Sequence, residues 1–147
     1  MSPRFDPDSF GFLVTDLARL IRAEMDRCIE AAGIGVTPGE ARTLVYAARF
    51  GEVRQNVLAE RMGLEAMTLS AYLDRLEERG LVKRVPDPSD RRAKLVRLTE
   101  KADGALEAVR RVGLKVRSRA RGNLSEAEWS GLQELLKAVR GNFTGGA

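Results

Sequence analysis

Between residues 53 and 99 the apolar side chains change their period, and few architectures accept such a change over so short a stretch. VRQNVLAERMG reads as a short helix with Val53, Val57, Leu58 and Met62 inward and Gly63 as its stop. AMTLSAYLDRLEERG repeats leucine at 69, 73 and 76 and ends at Gly80. Two short helices joined by a glycine-bearing turn fit a helix-turn-helix, and they also fit a generic helical hairpin. The residues that follow favour the first. LVKRV and KLVRLT alternate apolar with basic, the period of a half-buried strand, and Asp87, Pro88, Ser89 and Asp90 between them are turn chemistry. A two-stranded ribbon directly after a helix-turn-helix is a wing.

Longer helical patterns flank this unit. From about Asp8 to Ala31, Phe10, Leu13, Val14, Leu17, Leu20, Ile21, Met25, Cys28 and Ile29 form one apolar stripe. GIGVTPGE breaks it, with Thr37 as an N-cap, Pro38 at the first helical position and Glu40 at the third. A second helix follows to about Arg49. Beyond the ribbon, Thr99 is expected to cap a long helix reaching about Arg121, with Ala102, Ala105, Leu106, Val109, Val112 and Val116 inward. A last helix restarts at Ser125, where Glu128 completes a capping box, and Trp129, Leu132, Leu135, Leu136, Val139 and Phe143 make its apolar face. The closing TGGA is expected to fray. The fold class is therefore all-α with a small two-stranded β-wing.

Charge is polarised along the 147 residues. The net charge is only +4, yet seven basic residues stand against three acidic ones from Lys83 to Lys101, and six more, unopposed, lie between Arg110 and Arg121. The remainder is net acidic, and the basic segments point toward a polyanion. Without histidine, with the single Cys28 and without a glycine-rich phosphate loop, no nucleophile–base pair or metal constellation presents itself, so no enzyme and no cofactor is expected. One cysteine also excludes an internal disulfide framework and fits a reducing, cytoplasmic setting. The apolar run FGFLV is too short for a signal peptide, and no run approaches the roughly 20 residues of a membrane span.

The segment LAERMGLEAMTLSAYLDRLEERGLVKRVPDPSDRRAKLVRLTEKA resembles the signature of the MarR family of winged helix-turn-helix regulators. The likeness lies in the Leu-Ala-Glu helix, the LDRLE recognition helix, the GLV step, an Asp-x-Arg wing tip and the LT-K that follows. It implies a single MarR-type domain over residues 1–147, with a winged helix-turn-helix at 37–99 and a helical dimerisation region at 1–34 and 100–143. It further implies a homodimer, double-stranded operator DNA as partner, and in many members a small phenolic or anionic effector. Two departures stand out. Ala71 occupies a position where many members carry arginine or another polar residue, and Tyr72 replaces a usual aliphatic.

Thr68, Ser70, Ala71 and Arg75 lie off the leucine ridge of the recognition helix. They are expected to meet DNA, against the alternative of a solvated face with Asp74 and Arg75 paired locally. Tyr72 is expected to fill core rather than read bases. At the wing the resemblance implies that Asp90 braces the tip and Arg92 enters a minor groove, while Arg84, Arg91 and Lys94 meet phosphates. Cys28 is expected to pack rather than to sense oxidants, having no second cysteine to resolve a sulfenic acid. The run Arg110–Arg121 is expected to pair with acidic residues of a second copy such as Glu24, Asp26 or Glu30; binding an anionic effector or lining DNA are its other readings. The expectation for the whole is a regulator, repressor rather than activator, on a pseudo-palindromic operator. The competing reading is a winged-helix protein-interaction module without specific DNA binding.

Overall fold

The computed structural model describes residues 4–145, so the last two residues of the TGGA tail lie outside it. The elements follow the order α1 (Phe10–Ala32), α2 (Pro38–Phe50), β1 (Val53–Arg54), α3 (Gln55–Met62), α4 (Ala66–Glu78), β2 (Val82–Asp87), β3 (Asp90–Leu98), α5 (Ala102–Arg121) and α6 (Glu126–Phe143). The chain divides between Gly113 and Leu114 into two compact units. Among the described residues, no helix is long and apolar enough to cross a membrane.

In the first unit α2 begins as its sequence requires. Thr37 Oγ1 accepts from the Glu40 amide at 3.2 Å, the Glu40 carboxylate accepts back from the Thr37 amide, and Pro38 sits in the first turn, where a missing N–H costs nothing. Against α2 lies α4, whose Leu69, Leu73 and Leu76 are fully buried. Each contributes about 1.5–3 kcal/mol of burial. Tyr72 seats its ring on the start of α2. A Cβ at Gly39 would stand 2.4 Å from Tyr72 Cζ, so glycine there lets the ring approach backbone. Tyr72 is thus packing, as expected. Gly80, at φ 73°, ends α4 by donating to the Glu77 carbonyl while Leu81 donates to Leu76, both at 2.9 Å. That reversal feeds the chain into β2.

The ribbon differs from the sequence expectation in three ways. The expected two-stranded wing is present as β2 and β3, and β1 joins it to make a three-stranded antiparallel sheet in the order β1-β3-β2. Val53 and Arg54 pair with Val96 and Leu95 before α3 starts, so Val53 belongs to the sheet and not to the helix. Two residues carry no period, and the strand was invisible for that reason. The strands also run further than expected, leaving only Pro88 and Ser89 as the turn. Pairing is regular from Val82↔Leu98 to Pro86↔Lys94, then jumps to Asp87↔Asp90. The jump leaves Arg91, Arg92 and Ala93 without opposite numbers, which bulges the tip. Lastly, Thr99 does not cap α5. The helix starts at Ala102, and the Thr99 hydroxyl donates to the Gly80 carbonyl, tying the foot of the wing to the end of α4.

Along α1 only Ile29 is buried, and Phe10, Leu13, Val14, Leu17, Leu20 and Ile21 are all exposed, with Leu17 at 55%. Arg42 of α2 pairs with Asp26 of α1. Cys28 is half-buried, its Sγ 3.7 Å from the Glu24 carboxylate. Arg110 and Arg111 both pair with Glu107 one turn earlier in α5, which occupies part of the basic run within its own helix. In the second unit, Ser125 and Glu128 form the expected capping box. Leu132, Leu135, Leu136 and Phe143 nevertheless remain exposed. The Arg117 guanidinium lies 6.0 Å from the centre of the Trp129 ring.

The Gly39–Tyr72 contact is directly testable. Gly39→Ala should destabilise the protein by about 1–3 kcal/mol, seen as a lower urea midpoint at unchanged slope. In a Tyr72→Ala background the same methyl should be neutral or stabilising, because alanine is the better helix former. Equal losses in both backgrounds would show that the ring is not what the methyl meets.

Candidate nucleic-acid interface

The helix α4 presents its N-terminal half outward. Thr68 is exposed, and Ser70 and Ala71 are half-buried. Met67, off the leucine ridge, is 85% exposed and was not among the expected residues. Arg75 is not paired with Asp74. Its Nε donates to Glu40 Oε2 at 3.1 Å, and its guanidinium lies 5.7 Å from the centre of the Tyr72 ring. Half of the side chain stays exposed, so Arg75 anchors α4 on α2 while keeping a cationic edge outward.

Arg84 departs furthest from its expected place. Its Nη2 donates to Asp74 at 2.6 Å and Glu77 at 3.0 Å, its amide donates to Glu77, and its side chain is 18% exposed. Those bonds hold the Glu77 carboxyl below its ordinary range. The residue clamps β2 to α4, and little of its charge is left to meet a phosphate. Asp74 and Glu77 form the clamp's other jaw.

At the tip, Asp90 Oδ1 accepts from the Arg92 amide at 3.0 Å. The Arg92 side chain itself is 94% exposed, and Arg91 and Lys94 are exposed beside it. A second brace, not expected, lies beneath. Asp87 is nearly buried and accepts from the Ser89 amide at 2.8 Å and from Arg54 Nε at 2.6 Å. The Ser89 amide first, then the Arg54 guanidinium, hold its carboxyl below the ordinary 3.8 against a burial cost that opposes them. Between this brace and the start of α3 opens a groove of about 470 Å³. Arg54, Gln55 and Asn56 line it from α3 and its approach, Ala66 from the head of α4, and Arg92 and Lys94 from the wing. The first amides of a helix have no intrahelical acceptor, so this rim adds donors to cations. Gln55 and Asn56 stand at the head of α3, and only a correct helix start would have singled them out.

Of the nine expected positions, the structure sets Thr68, Ser70, Ala71 and Arg75 on α4 and Asp90, Arg91, Arg92 and Lys94 on the wing, of which Asp90, Arg92 and Lys94 line the groove, and Arg84 is turned inward. A helix sized for a major groove beside a cationic hairpin suits duplex DNA.

Comparison with known proteins agrees with this fold. Residues 34–93 match the family model described as MarR family. A probable transcriptional regulator from Pseudomonas aeruginosa is 30% identical, over 90% of this chain and 97% of that one, with a TM-score of 0.68. A MarR-family transcriptional regulator from Rhodococcus sp. RHA1 is 25% identical over 93% and 96%, with a TM-score of 0.77. CouR from Rhodococcus jostii RHA1, in a structure bound to p-coumaroyl-CoA, is 26% identical over 93% and 95%, with a TM-score of 0.71.

The Asp87 brace carries a pH signature. A depressed carboxyl stabilises the fold above its unfolded value of 3.8, and that contribution is lost as pH falls through the lower folded value. Between about pH 5 and pH 2, the melting temperature of the wild type should fall more steeply than that of Asp87→Asn. Parallel curves would mean that Asp87 braces nothing.

Proposed function

Because the chain belongs to the MarR family of winged helix-turn-helix regulators, we propose that it binds a pseudo-palindromic operator as a homodimer and represses transcription. The observation that carries this reading is a cationic groove in which Arg92 and Lys94 of the wing face Arg54 and the start of α3, with Ala66 at the head of α4 on its lining. Thr68, Ser70, Ala71 and Arg75 enter the major groove, Arg92 the minor groove, and Arg91 and Lys94 meet phosphates. Asp90 sets the tip, and Arg84 acts as a clamp more than as a phosphate ligand. The winged part spans 37–99. The dimerisation part comprises 1–34 and 100–143, whose exposed apolar side chains on α1 and α6 call for a second copy. A small phenolic or anionic effector releases the operator, a reading supported by the ligand in the CouR structure.

Two experiments test this reading. Arg92→Ala removes one groove contact per subunit, each worth about 1–3 kcal/mol, so a dimer should lose roughly a hundredfold in affinity. The loss should be larger on operators with A·T-rich flanks, and the dependence on salt should become shallower. Anisotropy on matched duplexes measures both; wild-type affinity on both the A·T- and the G·C-flanked duplex reduces the wing to a solvated turn. For the dimer, Leu17→Asp with Leu20→Asp places charge in the α1 stripe. Sedimentation should then report monomer or aggregate, with operator binding lost. A soluble double mutant that still sediments as a dimer and binds fully would refute the assignment of α1.

A further inference from the structure

The outward ridge of α4 is apolar in its N-terminal half, at Met67 and Ala71, and acidic further on, at Asp74 and Glu78. Leu69 faces the core, and on a helix of 3.6 residues per turn Met67 and Ala71, two positions before it and two after it, lie on the opposite side. They are neighbours there, one turn apart. Met67 is 85% exposed, more than any other large apolar side chain among the described residues, and it sits in the first turn, which holds no acidic residue. Ala66, just before it, lines the groove beside the wing. A thioether and a methyl offer a base edge no strong hydrogen bond. What a major groove offers such a ridge is the 5-methyl group of thymine, its one apolar feature.

We infer that Met67, with Ala71 one turn on, selects thymine through its 5-methyl group. The inference rests on the operator-binding reading above and names the base chemistry that reading leaves open. Thr68 and Arg75 lie along one side of the ridge and Ser70 along the other, and they reach polar edges, while Met67, unbranched and polarizable, adapts its three torsions to a methyl in the groove. The same ridge explains how the helix can do without a polar residue at position 71. A small side chain there lets α4 sit deep enough for Met67 to touch the base.

The test uses the full-length protein and a duplex selected by it from random sequence. Each thymine is then replaced in turn by uracil, which removes only the methyl. One or two positions per half-site should weaken wild-type binding about fourfold each, the value of one buried methyl-sized group. Met67→Ala should bind more weakly and be indifferent to uracil at those positions, and Met67→Leu should keep the discrimination. The residue is exposed, so all three proteins should melt alike. A selected duplex on which every uracil is tolerated overturns the inference while leaving operator binding intact. Identical uracil losses in wild type and Met67→Ala overturn it too. Failure to select any duplex sinks the operator reading, and this inference with it.

Discussion

A single buried carboxylate organises the DNA-binding unit. Glu40 is 4% exposed, and its Oε2 accepts both the Thr37 hydroxyl at 2.9 Å and Arg75 Nε at 3.1 Å. A charge so covered persists only with partners in place, because each lost partner leaves it desolvated and unpaired. Glu40 therefore does two jobs at once. It closes the N-terminus of α2, and it pins α4 at a fixed height on that terminus. The Tyr72 ring on Gly39 sets the distance between the helices, and the leucines at 69, 73 and 76 supply the adhesion. The outward ridge of α4 can be placed only because this inner side is fixed.

What could be read from the sequence was what is local. The capping boxes at Thr37 and Ser125 involve residues three apart, and the leucine ridge repeats within one helix, so both follow from spacing alone. The alternation of β2 and β3 was likewise visible. What escaped were pairings between distant positions. Arg75 meets Glu40 across 35 residues and Arg54 meets Asp87 across 33, and neither separation leaves a trace in periodicity. Arg84 and Arg92 look alike as letters, yet one is folded against α4 and the other projects into solvent. Burial, decided by tertiary packing, separates them. Met67 was legible by spacing, two positions before Leu69 and so opposite the leucine ridge, but an apolar residue was not sought among those expected to meet DNA.

The two ends of the chain show the limit from the other side. The stripes of α1 and α6 were plain in the sequence, but a stripe states only that something covers it. In the single chain most of these side chains remain in contact with water. The basic run of α5 is similar. Arg110 and Arg111 find Glu107 in their own helix, so a count of positive charge overstates what that segment offers to any partner.

Arg84 has a consequence for how sequence is measured. By holding Asp74 and Glu77 it ties the foot of the hairpin to the helix, a caliper whose two points are joined at the hinge. On a duplex bound as proposed above, one point would rest in each kind of groove. The gap between them then compares the protein with the local twist and groove width of the DNA, including base pairs that neither point touches. A step that overwinds or widens the duplex would be rejected as a misfit of span even with every contacted base correct.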